Sequence, residues 1–263
     1  MTGDVVKEKI LQILSEIEEV QQVKILYACE AGSRAWGLAS EESDYDVRFL
    51  YVHPVDWYIS IDQKRDVIDA PMGENLDIVG WDLKKALFLL KKSNPPLLEW
   101  LQSRTTYYEH PAISDLKALA QTTFSAKACL FHYLNMAKRN AKGSFQSQEI
   151  KVKLLLNVVK PLLACRWIAN HHSMPPNEME LLLDDMVTDP QLNKELDQLL
   201  LEKQRGTQVI DIKQVGKIQQ YIFDGIKHLD NFAQTIEYDK GLYQGELDAY
   251  FLRTLKQVWG NDW

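Results

Sequence analysis

The chain is poor in the features that mark secreted, membrane-spanning and unfolded proteins. Its 263 residues hold three cysteines, Cys29, Cys129 and Cys165, far apart in apolar surroundings and with no CxxC pair. So sparse and odd a set excludes a disulfide frame and a cysteine zinc site, and reads as reduced, buried thiols. No stretch approaches the roughly 18 consecutive apolar residues of a membrane span, so no membrane partner is expected. The opening MTGDVVKEKI has no basic start followed by an apolar run. No secretory signal is therefore expected, and the expected location is cytoplasmic. Internal repeats and low-complexity linkers are also lacking.

What is present is an ordinary globular composition, 46% hydrophobic and 25% charged. That is enough chain for one large domain or two small ones. The net charge of −7 speaks against general nucleic-acid binding. Its distribution is more informative than its sum. Residues 1–110 carry 12 basic and 19 acidic side chains, whereas residues 127–166 carry 8 basic and only Glu149 acidic. The C-terminal residues 167–263 are acidic again, so a cationic band lies between two anionic regions.

Hydrophobic spacing divides the chain near residue 110. Val6, Ile10, Ile13, Ile17 and Val20 mark a first helix. VKILYACE (23–30), DVRFLYV (46–52) and NLDIVGW (75–81) read as strands. Residues 54–74 read as a short helix and a strand. Asp82 reads as the cap of a helix over 83–92, and Asn94-Pro95-Pro96 breaks the chain before another. After residue 111 helical periodicity dominates. Ser125 caps 126–141, and 151–170 is one long helix with a kink at Pro161. Asn177 and Asp189-Pro190 open two more helices, and Ile218–Ala233 and Leu247–Val258 mark the last two. The expected architecture is α+β, with an N-terminal unit over 1–110 and an all-helical unit over 111–263.

One constellation points to chemistry. Gly32-Ser33-Arg34 follows the first strand, where glycine lets the backbone approach a ligand. A helix starting at Ser33 would offer free N–H groups and a hydroxyl to a phosphate. Asp44 and Asp46 then sit two residues apart at the head of the next strand, so both point to one face. Two such carboxylates need a cation or a shared proton, and magnesium suits oxygen ligands of this type. A third carboxylate completes a two-metal site. Asp77 is the candidate, because it interrupts an apolar strand at a cost that a partner would offset. Glu74 is a weaker competitor, and Asp82 is accounted for as a cap. Arg34 and Arg48 lie close by in sequence. Either can touch phosphate or stack on a base; Arg34 is the candidate for binding the nucleotide, since it lies in the phosphate loop, and Arg48 can instead pair with a carboxylate. Lys138 and Lys142 share a helix face, as do Lys153 and Lys160. The expectation is that this basic surface faces the carboxylates and meets a triphosphate or an RNA end.

GSRAWG (32–37) followed by SDYDVR (43–48) resembles the signature of the DNA polymerase β-type nucleotidyltransferase superfamily. The stretch DIVGWDL (77–83) makes it most similar to the RNA-repair-pathway nucleotidyltransferases within it. The likeness continues through KSNPPLLEWLQS (92–103), HYLNMAKRN (132–140) and residues 151–176, and so covers most of 25–176. The resemblance implies a small mixed sheet with helices on one side and a helical domain closing over a nucleotide. It implies Gly32 and Ser33 as the triphosphate loop and Asp44 and Asp46 as ligands of both metals, Mg2+ or Mn2+. It implies Asp77 as ligand of the catalytic metal and acceptor of the substrate proton. The expected reaction moves a nucleoside monophosphate from an NTP to an acceptor hydroxyl and releases pyrophosphate. The acceptor is an RNA end, a small molecule or a protein. The competing reading is a non-catalytic nucleotide sensor or antitoxin-like partner with the same fold, against which the presence of all three carboxylates speaks.

Overall fold

The structure, a computed structural model, describes residues 3–40, 43–70, 75–237 and 244–261. Helix α1 (Gly3–Gln21) leads into β1 (Lys24–Glu30), the single turn α2 (Gly32–Ala35) and β2 (Tyr45–Val52). Next come α3 (Val55–Tyr58), β3 (Val67–Asp69), β4 (Leu76–Asp82), α4 (Leu83–Leu90), α5 (Pro95–Leu101) and β5 (Thr106–Glu109). The five strands form one sheet in the order β3-β4-β2-β1-β5. Only β2 and β4 run parallel; the other pairs are antiparallel. The C-terminal end of β1 therefore meets the N-terminal ends of β2 and β4 at one edge.

The remaining chain is mainly helical: α6 (Ile113–Thr122), α7 (Ala126–Ala141), β6 (Glu149–Lys151), α8 (Val152–His171), α9 (Met179–Met186) and α10 (Pro190–Gln204). It closes with β7 (Val209–Asp211), a 3-10 turn, α11 (Gly216–Thr235) and α12 (Gln244–Trp259). Strands β6 and β7 pair with each other as a separate two-stranded sheet. No described helix is long and apolar enough to cross a membrane. The class is α+β, a mixed sheet followed by helices.

Alternation along the strands sends the two faces of the sheet to different cores. Val47, Phe49 and Tyr51 of β2, with Ile78 of β4, pack under Ile10, Ile13, Leu14 and Ile17 of α1. Leu50 and Val52 face the other way and join the large core of α4, α5 and the C-terminal helices. Helices thus cover both faces, not one. The division expected at residue 110 falls between β5 and α6, and the large core runs across it, from Leu26 to Leu255.

The caps follow the sequence closely. Asp82 accepts from the Lys84 N–H at 2.8 Å, Asn94 from Leu97 at 3.3 Å, Ser125 from Ala128 at 3.3 Å and Asp189 from Gln191 at 2.8 Å. Asn177 differs. It opens no helix; α9 begins after Glu178, and the buried Asn177 side chain donates to the Glu99 carbonyl at 2.8 Å. Strands β5, β6 and β7 have no clear signature in the sequence. β5 is a half-exposed edge, and the other two are three residues each.

Candidate active site

Asp46 and Asp77 are direct partners in the parallel β2–β4 ladder. Both side chains leave the face that carries Leu50 and Trp81, toward the C-terminal helices. Asp46 sits where the chain holds it tightly. Its N–H donates to Glu30 Oε1 at 2.8 Å, and its carbonyl accepts from the Ala31 N–H at 2.8 Å. The Tyr107 hydroxyl donates to the other oxygen of Glu30. Burial pushes the Glu30 carboxyl above its ordinary value. Glu30 belongs to the site as a support, although it reads as the last residue of an apolar strand. Its signal is an acid at the end of such a strand, one residue ahead of Gly-Ser.

Gly32 follows with a φ of +58°, in the left-handed region. A Cβ there would stand 1.9 Å from Asp46 Oδ2. The carboxylate therefore lies against bare backbone. The turn Gly32–Ala35 is closed by Trp36 N–H donating to the Gly32 carbonyl at 3.1 Å and Leu38 N–H to that of Ser33 at 2.8 Å. The first amides of such a turn have no partner within it.

Asp44 precedes β2 and is exposed. Arg34 holds its segment. The guanidinium donates to the carbonyls of Ser43 at 2.7 Å and Asp44 at 3.2 Å, and lies 3.8 Å over the Tyr45 ring. Arg34 thus braces the approach to β2 and does not line the cleft beside it. Arg48 pairs with the carboxylates, one of the two roles open to it. Its Nη2 donates to Asp46 Oδ1 at 3.0 Å and to Asp77 Oδ2 at 2.7 Å. Burial raises the Asp46 carboxyl above its ordinary value; Asp77 and Asp44 add to this, while Arg48 and Lys153 oppose it.

A cleft of about 440 Å³ opens over this edge. Gly32, Ser33, Asp44 and Asp46 line one wall, and Lys153 and Asn157 of α8 line another. A third comes from Lys203, Thr207 and Gln208, in the passage from α10 to β7. The short β6–β7 pair pins that passage to the start of α8, where Val152 N–H donates to the Gln208 carbonyl at 3.0 Å. Spacing in sequence gives no hint of this wall, because β6 and β7 lie almost 60 residues apart by the numbering of their ranges.

The basic band does not present a single surface. Lys153 reaches the cleft. Lys138, expected beside it, pairs with Asp230 of α11 at 2.6 Å and does not line the cleft. Lys160 is buried, bonded to Glu99 Oε1 at 3.1 Å. Helical spacing aligns these lysines correctly, but Asp230 holds Lys138 and Glu99 holds Lys160, and of the three Lys153 lines the cleft. Glu74 lies outside the described residues.

In donor chemistry the set suits a hard divalent cation, since Asp44, Asp46 and Asp77 offer only carboxylate oxygens. The groove that Gly32 leaves free of a Cβ lies directly against Asp46 Oδ2. Among the described residues, no three acidic, histidine or cysteine side chains converge on a single point. The positive charge between Asp46 and Asp77 is that of Arg48.

A mixed sheet that brings a Gly-Ser turn beside carboxylates on neighbouring parallel strands is the arrangement of a polymerase β-type nucleotidyltransferase. The model of the RNA repair pathway DNA polymerase beta family matches residues 6–253, and the chain belongs to that family. It is 43% identical over 254 residues to the uncharacterized protein YcgL of Bacillus subtilis (strain 168), covering 96% of this chain and 98% of that one. A crystal structure of a nucleotidyltransferase-like protein from Exiguobacterium sibiricum 255-15 aligns over 96% of this chain and 90% of its own, with 13% identity and a TM-score of 0.33.

Proposed function

We propose that the protein transfers a nucleoside monophosphate from an NTP to an acceptor hydroxyl, an RNA end being the acceptor to which the family's RNA-repair description points. The observation that carries this reading is the lateral pairing of Asp46 with Asp77 beside the Gly32-Ser33 turn. In the reaction the acceptor oxygen attacks the α-phosphorus, the bond from that phosphorus to the bridging oxygen breaks, and pyrophosphate leaves with the electron pair. Such a transfer depends mostly on positioning and on neutralising charge. Asp44, Asp46 and Asp77 would hold Mg2+ or Mn2+, which supplies charge stabilisation to the attacking and leaving oxygens. The backbone at Gly32 and Ser33 and the hydroxyl of Ser33 bind phosphate oxygens. Lys153 and Lys203 add positive charge from the facing walls. Asp77, with its side chain 48% exposed, receives the proton of the acceptor hydroxyl. Arg34 acts indirectly, by fixing the backbone that carries Asp44.

The test is incubation with each labelled NTP, Mg2+ or Mn2+, and pooled RNA or small-molecule acceptors. Pyrophosphate release that disappears in Asp46→Asn, with the variant still folded by circular dichroism, is the expected result. Tight NTP binding with no turnover on any acceptor would favour the nucleotide sensor. Charge reversal at Lys153 is expected to weaken NTP or RNA binding, whereas reversal at Lys138, paired with Asp230, is not.

A further inference from the structure

Asp46 and Asp77 face each other on adjacent strands, a placement that is unfavourable for two negative charges. Arg48 resolves it. A single nitrogen, Nη2, donates to both carboxylates. The other, Nη1, is tied to the backbone, donating to the carbonyls of Val47 at 3.0 Å and Asp77 at 3.1 Å. Four hydrogen bonds therefore fix the guanidinium with its charge between the two acids. It lies beneath them: the Arg48 side chain is 17% exposed, against 28% for Asp46 and 48% for Asp77. Two residues apart on β2, Asp46 and Arg48 share a face, and Arg48 stands level with Val79, one step further along that face of β4 than Asp77.

We propose that Arg48 is a built-in counter-ion that stands in for the divalent cation, and that the cation gains Asp46 and Asp77 by displacing its Nη2 end. This rests on the proposed metal-dependent reading of the site and adds an element of control to it. The oxygens that Arg48 engages, Asp46 Oδ1 and Asp77 Oδ2, are ones a cation shared by both acids would need. A positive charge within hydrogen-bond distance of them also repels an incoming cation. Without metal, the guanidinium keeps the two acids together and β2–β4 free of internal repulsion. With metal and substrate phosphates present, the added charge makes the exchange favourable. The consequence is a site that holds the metal weakly alone and more firmly with the nucleotide.

The experiment measures Mn2+ binding to the full chain by electron paramagnetic resonance of the free ion, together with thermal unfolding with and without Mn2+. Arg48→Gln is expected to bind Mn2+ about tenfold more tightly than the wild type, the charge at hydrogen-bond distance having gone. It is also expected to unfold at a lower temperature without metal and to recover more on adding Mn2+. Arg48→Lys, which keeps the charge, is expected to stay within about threefold of the wild type by the same reasoning. It serves as the comparison if Arg48→Gln folds poorly, because a lysine that bound Mn2+ tenfold more tightly would overturn the proposal. Equal or weaker Mn2+ binding by Arg48→Gln would also overturn it while leaving the metal site standing. Absence of any Mn2+ binding that is sensitive to Asp46→Asn would remove the metal reading, and this proposal with it.

Discussion

Gly32 is required by its neighbour more than by its own turn. Its φ of +58° costs an L-residue about 1 kcal/mol or more, but the larger obstacle is Asp46, whose Oδ2 lies 1.9 Å from where a Cβ would be. In Gly32→Ala the carboxylate has to move, and its backbone cannot follow, being held on both sides by Glu30 and Ala31. We expect a loss of stability of about 1–3 kcal/mol in urea unfolding. Pyrophosphate release is expected to fall by about 100-fold or more, as when reacting groups are misplaced by an ångström. A variant that unfolded earlier yet turned over normally would show that Asp46 has room to spare. At this scale the unusual order of types in the sequence singles out Gly32, Ser33, Asp44 and Asp46, which line one cleft, and Asp77, which stands beside Asp46 on the next strand. Glu30 carries only a faint mark, an acid ending an apolar strand, since its role depends on a contact 16 residues along the chain and on burial that no local pattern encodes. Arg34 sits where a phosphate loop predicts an arginine, but three nearer partners hold it away from the cleft.

Helix α8 links the site to the core, and its irregularity is compensated from outside. Pro161 has no N–H, so the carbonyl of Asn157, four residues earlier, loses its helical donor. The Asn140 side chain on α7 takes that place, donating to the Asn157 carbonyl at 2.9 Å. Asn157 itself lines the cleft one turn after Lys153, so this bond steadies the wall that carries both. Asn140→Ala leaves a half-buried carbonyl without a donor and is expected to cost about 1–2 kcal/mol. In the Pro161→Ala background the helix supplies the N–H again, and the same Asn140→Ala change is expected to cost less than half as much. Urea unfolding of the four proteins in a double-mutant cycle checks this; equal costs in the two backgrounds would mean that Asn140 acts elsewhere. The proline and the helix are both legible in the sequence, as are the caps at Asp82, Asn94, Ser125 and Asp189, since each depends on residues within one turn. The donor that repairs the proline is 17 residues away, and the strand pair β6–β7 that places Gln208 beside α8 is more distant still. Non-local partnerships of this kind leave no periodicity to read.

For the whole molecule the informative charge is the one that is hidden. Lys160 lies seven residues from Lys153 on α8, and helical spacing alone assigns both to one solvated face. The face does begin at the cleft, but its other end runs under the Gly32-Ser33 turn and into the core. There Lys160 bonds to Glu99 of α5 at 3.1 Å and lies 4.1 Å over the ring of Trp36. Glu99 also accepts from the Tyr133 hydroxyl of α7 at 2.7 Å and from Trp36 Nε1 at 3.3 Å. One buried pair thus joins the turn beside the carboxylates to helices on both sides of residue 110. Burial pulls the Lys160 ammonium below its ordinary value, and Glu99 counters that pull. Removing only the cation leaves the acid uncompensated, and Lys160→Met is expected to cost about 3–5 kcal/mol. Adding Glu99→Gln removes the stranded charge while keeping an oxygen for the Trp36 N–H and an NH2 that can donate to the Tyr133 hydroxyl. The double variant is expected to recover at least half of that loss in urea unfolding at neutral pH. Glu99→Gln alone, which leaves a buried ammonium facing an amide, is expected to be less stable than the double variant. If the two single losses simply added, the pair would be bystanders to the joint, and the link between the sheet and the helices would rest on apolar packing alone.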